Sequence, residues 1–173
     1  PWVELRTVAT ESVSDFDRDQ IDIAVRLTRP PFPDGQEAIL LFRQHLVAVA
    51  SPHLIGNTPL PMTTEQLRAL PLLHDAHNHW PAFFGGTGKL PGAVFNQTAL
   101  ALDAAVAGQG IVIAARAFVQ PDLDAGRLRA VADVTCVTGP DYYLVRKRAA
   151  MHATAAAAVW AWCAKQLAIP KGV

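Results

Sequence analysis

The chain has 173 residues, 51% of them hydrophobic and 17% charged, with 15 Lys plus Arg against 15 Asp plus Glu. That length suits one domain or two small lobes, with ample apolar side chains for a core. The even charge excludes a chain that grips a nucleic-acid backbone by itself, which takes a basic face.

Other classes fall away on simple patterns. No apolar run is long enough to cross a membrane as a helix, and Pro1-Trp2-Val3-Glu4 lacks the basic and apolar regions of a secretory signal. Without an initiating Met, the sequence is expected to be a fragment. Cys136 and Cys163 have no metal-ligand spacing, so a reduced cytoplasmic protein is expected, with one disulfide as the alternative.

In chain order, Val3 to Ala9 alternates loosely and predicts a short strand, followed by a polar connection from Glu11 to Asp19. Ile21 to Leu27 is apolar except at Asp22 and Arg26 and predicts a buried strand in a sheet covered on both faces. The prolines between Arg29 and Gly35 require a loop. Ile39 to Phe42 and Leu46 to Ala50 are strand candidates, the second ended by Ser51-Pro52.

Thr63 and Gln66 have the spacing of a capping box, so a short helix starts there and stops before Pro71. Leu72 to His74 reads as a strand and His79 to Phe84 as a helical turn. Val94-Phe95 is extended, and an alanine-rich helix runs from about Thr98 to Ala107, with Gly108 as its stop. Ile111 to Ala114 is a buried strand, followed by a short helix and a turn at Ala125-Gly126. Leu128 to Val131 and Tyr142 to Arg146 are the last strands. A helix from Ala153 to Leu167 closes the chain, with Ala156, Val159, Trp160, Cys163 and Leu167 on one face and Trp162 elsewhere. Strands alternating with short helices indicate an α/β fold. The expected division is one lobe from residues 1–50 with 140–173 and a second from 51–139, with a ligand cleft between them.

Asn96, Gln97 and Thr98 form the leading candidate site. Asn96 or Thr98 can cap the helix, and the first N–H groups stay free for a small anion. Arg26, Leu27 and Thr28 end a strand, where ligands of α/β sheets sit, though Arg26 can also pair with Asp22 or a neighbouring strand. Thr10, with Glu11 and Ser12, holds the matching end of the first strand. His74, Asp75, His77 and His79 could supply zinc ligands, but the run lies on a loop without a general base. No metal is expected there. His74 and Trp80 are instead candidate effector contacts, beside their plainer reading as rim positions.

Enzyme motifs are missing. No Ser lies in Gly-x-Ser-x-Gly, and Gly85-Gly86-Thr87-Gly88-Lys89 lacks phosphate-loop spacing. Gly108-Gln109-Gly110 sits at a helix C-terminus, the wrong end for phosphate. No catalytic constellation and no cofactor are indicated.

Several segments, in order, carry a resemblance. They are Asp17 to Arg26 (DRDQIDIAVR), Leu46 to Pro52 (LVAVASP), and Leu72-Leu73-His74-Asp75 followed by Trp80. Then come Phe95-Asn96 with Ala99 to Ala105 and Gly108-Gln109-Gly110, followed by Asp122-Leu123, Gly126-Arg127-Leu128 and Tyr142 to Val145. Together they resemble the effector-binding domain of LysR-type transcriptional regulators, in the glycine-cleavage-activator branch. The resemblance implies two Rossmann-like lobes of the type 2 periplasmic-binding-protein plan, with a small effector in the interlobe cleft. It further implies a winged helix-turn-helix outside this chain through which DNA is bound, and a homodimer or homotetramer. The strand and helix that usually open such a domain, before the segment matching Val3 to Ala9, are expected to be absent. A second tryptophan common after Trp80 is replaced by Phe83-Phe84. A periplasmic-type solute-binding protein for transport shares the plan and is the alternative.

Overall fold

The computed structural model describes residues 3–10, 12–134, 139–148 and 154–167. The chain falls into two compact units, Pro1–Gln44 with Gly139–Val173, and His45–Thr138.

Unit 1 carries a three-stranded antiparallel sheet in the order β1-β8-β2, formed by β1 (Ala24–Thr28), β8 (Asp141–Lys147) and β2 (Gln36–Phe42). Helix α6 (Thr154–Leu167) belongs to this unit and buries Trp160, whose ring lies 4.2 Å from the Arg146 guanidinium carbon. Arg146 also donates two hydrogen bonds to Glu37, tying β8 to β2. Trp162 is exposed, as its helical phase requires. Cys163 is a free thiol; Cys136 lies outside the described residues, as does Glu11.

Two expectations fail in this unit. Residues 3–10 form no strand and are exposed throughout. Alternation supplies a face, not a partner, and the three strands of the sheet leave this segment unpaired. The strand predicted from Ile21 starts only at Ala24 and is half-buried, with Val25 58% exposed. An apolar run describes the strand, not whether a layer covers each of its faces.

Unit 2 carries a five-stranded sheet ordered β5-β4-β6-β3-β7. Its strands are β3 (Leu46–Ala50), β4 (Leu72–His74), β5 (Ala93–Val94), β6 (Ile111–Ala115) and β7 (Arg129–Val134). Strand β4 runs parallel to β5 and β6, while β3 runs antiparallel to β6 and β7. Here both faces are covered. Leu46, Ala48, Ala50, Ile111 and Ile113 point into one apolar cluster with Leu67 and Trp80. Val47, Val49, Val112 and Ala114 point into the other, against Ala101, Ala104 and Ala105 of α4 (Thr98–Val106). Alanines suit that contact because they let helix and sheet backbones approach closely. The boundary expected after residue 50 is therefore displaced. β3 is inside the second sheet, bonded on both sides, so residues 46–50 belong to unit 2.

Local signals act as their chemistry dictates. Thr63 and Gln66 form the reciprocal capping box of α2 (Thr64–Arg68), at 3.2 and 2.8 Å. Ser51-Pro52 ends β3 and also starts α1 (Pro52–Ile55), where Ser51 Oγ accepts from the His53 N–H. Short helices α3 (Trp80–Phe83) and α5 (Arg116–Asp124) complete the unit. Gly108 follows α4 at φ +76°, a left-handed conformation that glycine adopts without strain.

Candidate functional site

The site is built where β4 ends. Beyond His74 the chain must turn, and Asp75 shapes the turn. Its Oδ1 accepts from the N–H groups of His77 and Asn78 at 3.0 and 3.2 Å. Asn78 sits at φ +48°, a region asparagine tolerates better than most residues. The neighbouring strand arrives through β5, and the Phe95 N–H donates to the His74 carbonyl at 2.8 Å. Three residues later α4 begins, and the Thr98 hydroxyl donates to Asp75 Oδ2 at 2.6 Å. The carboxyl ends of the parallel strands β4 and β5 and the amino end of α4 thus meet in one place, where α/β sheets hold ligands.

Asp75 is only 5% exposed, and no Lys or Arg among the described residues pairs with it. A buried carboxylate without a cation needs other compensation. Three hydrogen bonds and the positive end of α4 provide it. Sequence reasoning weighed Asp75 only as a metal ligand and missed it as the organiser of this corner. The available signal was an Asp leaving a strand with Asn three residues on, an Asx-turn pattern.

The predicted residues fare differently. Asn96 and Gln97 are exposed and Thr98 half-buried. Capping by Asn96 or Thr98 is not observed. Gln97 is the N-cap, it makes no side-chain cap bond, and the Thr98 hydroxyl turns to Asp75 instead. The first-turn N–H groups have no partner within the helix by geometry. His74 is buried, with Nδ1 2.9 Å from Asn78 Oδ1 and Nε2 3.3 Å from the Pro91 carbonyl. Trp80 is not a rim residue. It is 1% exposed and its indole N–H donates to the Leu73 carbonyl at 3.0 Å, so it belongs to the core.

In unit 1, Arg26 does not pair with Asp22. It donates to the Ser14 carbonyl at 2.6 Å and lies 4.6 Å from the centre of the Phe16 ring. Thr10 meets the same residue, its hydroxyl 3.2 Å from Ser14 Oγ. Leu27 and Thr28 are half-buried and pair with Tyr142 and Asp141 of β8.

The four residues of the histidine run do not converge as metal ligands. His74 is engaged at both ring nitrogens, and the His77 and His79 rings stack 5.6 Å apart. Among the described residues no group of three or more His, Cys, Asp or Glu could hold a metal. Burial holds the His79 pKa below its ordinary value of 6.5, opposed by the charge of Asp75 and aided by that of His77. The unfolded chain therefore takes up a proton near pH 6.5 that the folded chain refuses. Stability is expected to fall as pH drops through this range and to level off below the folded value. Urea midpoints between about pH 7.5 and pH 5 should show this slope, and His79→Gln should flatten it.

A sequence model of the LysR substrate binding domain matches residues 2–168. The chain belongs to this family. It is 32% identical over 152 residues to the glycine cleavage system transcriptional activator of Escherichia coli K12, covering 84% of this chain and 49% of that protein. It is 34% identical over 137 residues to the HTH-type transcriptional regulator TrpI of Pseudomonas aeruginosa, covering 73% and 46%. This LysR domain thus spans about half the length of the curated relatives it matches. Among solved structures, the effector domain of the regulator AmpR of Pseudomonas aeruginosa superposes with a TM-score of 0.73 at 24% identity, covering 97% of this chain and 82% of that one. The fold is that of LysR effector-binding domains, the type 2 periplasmic-binding-protein plan. The curated relatives are transcriptional regulators rather than enzymes or transport proteins. No helix among the described residues is long and apolar enough to cross a membrane.

Proposed function

We propose that this LysR effector-binding domain senses a small anionic molecule at the amino end of α4. In the full-length cytoplasmic regulator, occupancy is passed to a helix-turn-helix domain that binds DNA as a homodimer or homotetramer. One observation carries the placement. The α4 N-terminus has no side-chain cap at Gln97, is flanked by exposed Asn96, and is tied to the β4 turn by the hydrogen bond from Thr98 to Asp75. The helix dipole alone favours an anion there by about 0.3–1 kcal/mol. Regulatory coupling of about 1–3 kcal/mol is the usual scale for transmission between two sites. His74 supports the turn from behind through its hydrogen bond to Asn78.

A thermal-shift panel of carboxylates, amino acids and aromatic acids identifies a binder for calorimetry. Asn96→Ala and Thr98→Ala are each expected to weaken it by roughly three- to tenfold, the loss of about one hydrogen bond, with the fold retained. Unchanged affinity in both variants removes this corner from the effector site.

A further inference from the structure

A second binding feature lies within unit 2, beside the Leu90–Gly92 segment. Arg68, at the end of α2, stands over a cavity of about 340 Å³ whose apolar walls include Leu72, Phe84, Leu90 and Pro91. Ligand pockets begin at about this size, so a small molecule fits and a peptide does not. One wall is closely packed. Gly92 lies so close to β4 that a Cβ there would come 2.2 Å from the Leu72 carbonyl oxygen, and the Pro91 carbonyl is held by His74 Nε2.

The charge at its mouth is unmatched. The Arg68 guanidinium stacks 4.1 Å from the centre of the Phe84 ring. Among the described residues it makes one long hydrogen bond, 3.4 Å to the Phe84 carbonyl, and pairs with no carboxylate. Stacking orients the planar fork and leaves donors free at the rim. A planar guanidinium presented in this way matches the two oxygens of a carboxylate.

We propose that this cavity is a binding site for a monocarboxylate with a flat apolar body of a single ring. The ring lies against Leu72, Phe84 and Leu90, and the carboxylate takes two hydrogen bonds from Arg68. This site is separate from the amino end of α4 and does not depend on the effector being bound there.

The test uses the 173-residue chain, with 3-phenylpropionate as probe and 3-phenylpropanol as its uncharged counterpart. Calorimetry is expected to show saturable binding of the acid, weaker binding of the alcohol, and amide shifts at Leu72, Leu90 and Gly92 in nuclear magnetic resonance spectra. Arg68→Gln should weaken the acid roughly ten- to a hundredfold and bring it level with the alcohol. The Arg68 side chain is at the surface, so this variant keeps the fold. No saturable binding, equal affinity of Arg68→Gln and the parent, or shifts confined to residues 96–100 would each overturn the proposal.

Discussion

Trp80→Ala is expected to cost about 3–5 kcal/mol of folding stability, the range for removing a large aromatic from a core. The indole is 1% exposed and packs edge-on to Phe83 at 5.7 Å and face-on to Phe84 at 5.4 Å. It lies in the cluster that covers one face of the five-stranded sheet. Its N–H also donates to the Leu73 carbonyl inside β4. Trp80→Phe separates the two contributions. It keeps much of the ring contact but loses the indole hydrogen bond to that carbonyl, at about 0.5–1.5 kcal/mol. Urea unfolding followed by far-ultraviolet circular dichroism measures both. A core role predicts a large loss in the alanine variant and a smaller one in the phenylalanine variant. A loss below about 1 kcal/mol for Trp80→Ala, with ligand affinity reduced, would restore the residue to the ligand rim.

Trp80 shows where sequence reading runs short. Its neighbourhood, Leu72 to Asp75 and then Trp80, is among the segments that place the chain in the LysR family, and the family model agrees. Yet a tryptophan after a strand is equally suited to a pocket rim and to a core. Only the position of β4 between β5 and β6 decides that the ring turns inward. Signals confined to a few residues were legible: the Thr63–Gln66 capping box and the Gly108 helix stop both form. So were β3 and β6, whose five-residue apolar runs are covered on both faces.

The same reasoning failed for Ile21 to Leu27, because whether a strand has cover depends on residues far away in the chain. Ser51-Pro52 reads as a break, but the unit boundary follows β-pairing and falls earlier, at His45. The site was half legible for the same reason. The polar turn at Asn96 to Thr98 stood out locally. Its anchor, Asp75, lies 23 residues from Thr98 and becomes its partner only through the parallel pairing of β4 and β5.

That anchor gives the second large effect. Asp75→Ala removes the acceptor of three hydrogen bonds at once, although His77 and Asn78 are exposed to water and the Asn78 N–H keeps its bond to the Asp75 carbonyl. Bonds to a charged acceptor are worth about 1.5–3 kcal/mol each, and Thr98, half-exposed, recovers part of its share from water. A net loss of about 1–3 kcal/mol is expected in urea unfolding. Asp75→Asn is the more telling variant. The side-chain oxygen can still accept from the turn, and the amide can donate to Thr98 Oγ1 once the hydroxyl rotates, so much of the stability should survive. What disappears is a negative charge beside the amino end of α4. An anion bound to the first-turn N–H groups is repelled by that charge in the parent. It should therefore bind the asparagine variant more tightly by about 1 kcal/mol, roughly fivefold, with the gain shrinking as salt is raised. A neutral ligand at the same place should not distinguish the two proteins. Calorimetry of one carboxylate and its amide against parent and variant measures this difference directly. Equal ratios for both ligands would place the effector's charge away from α4, whereas a gain confined to the carboxylate would put it at Thr98.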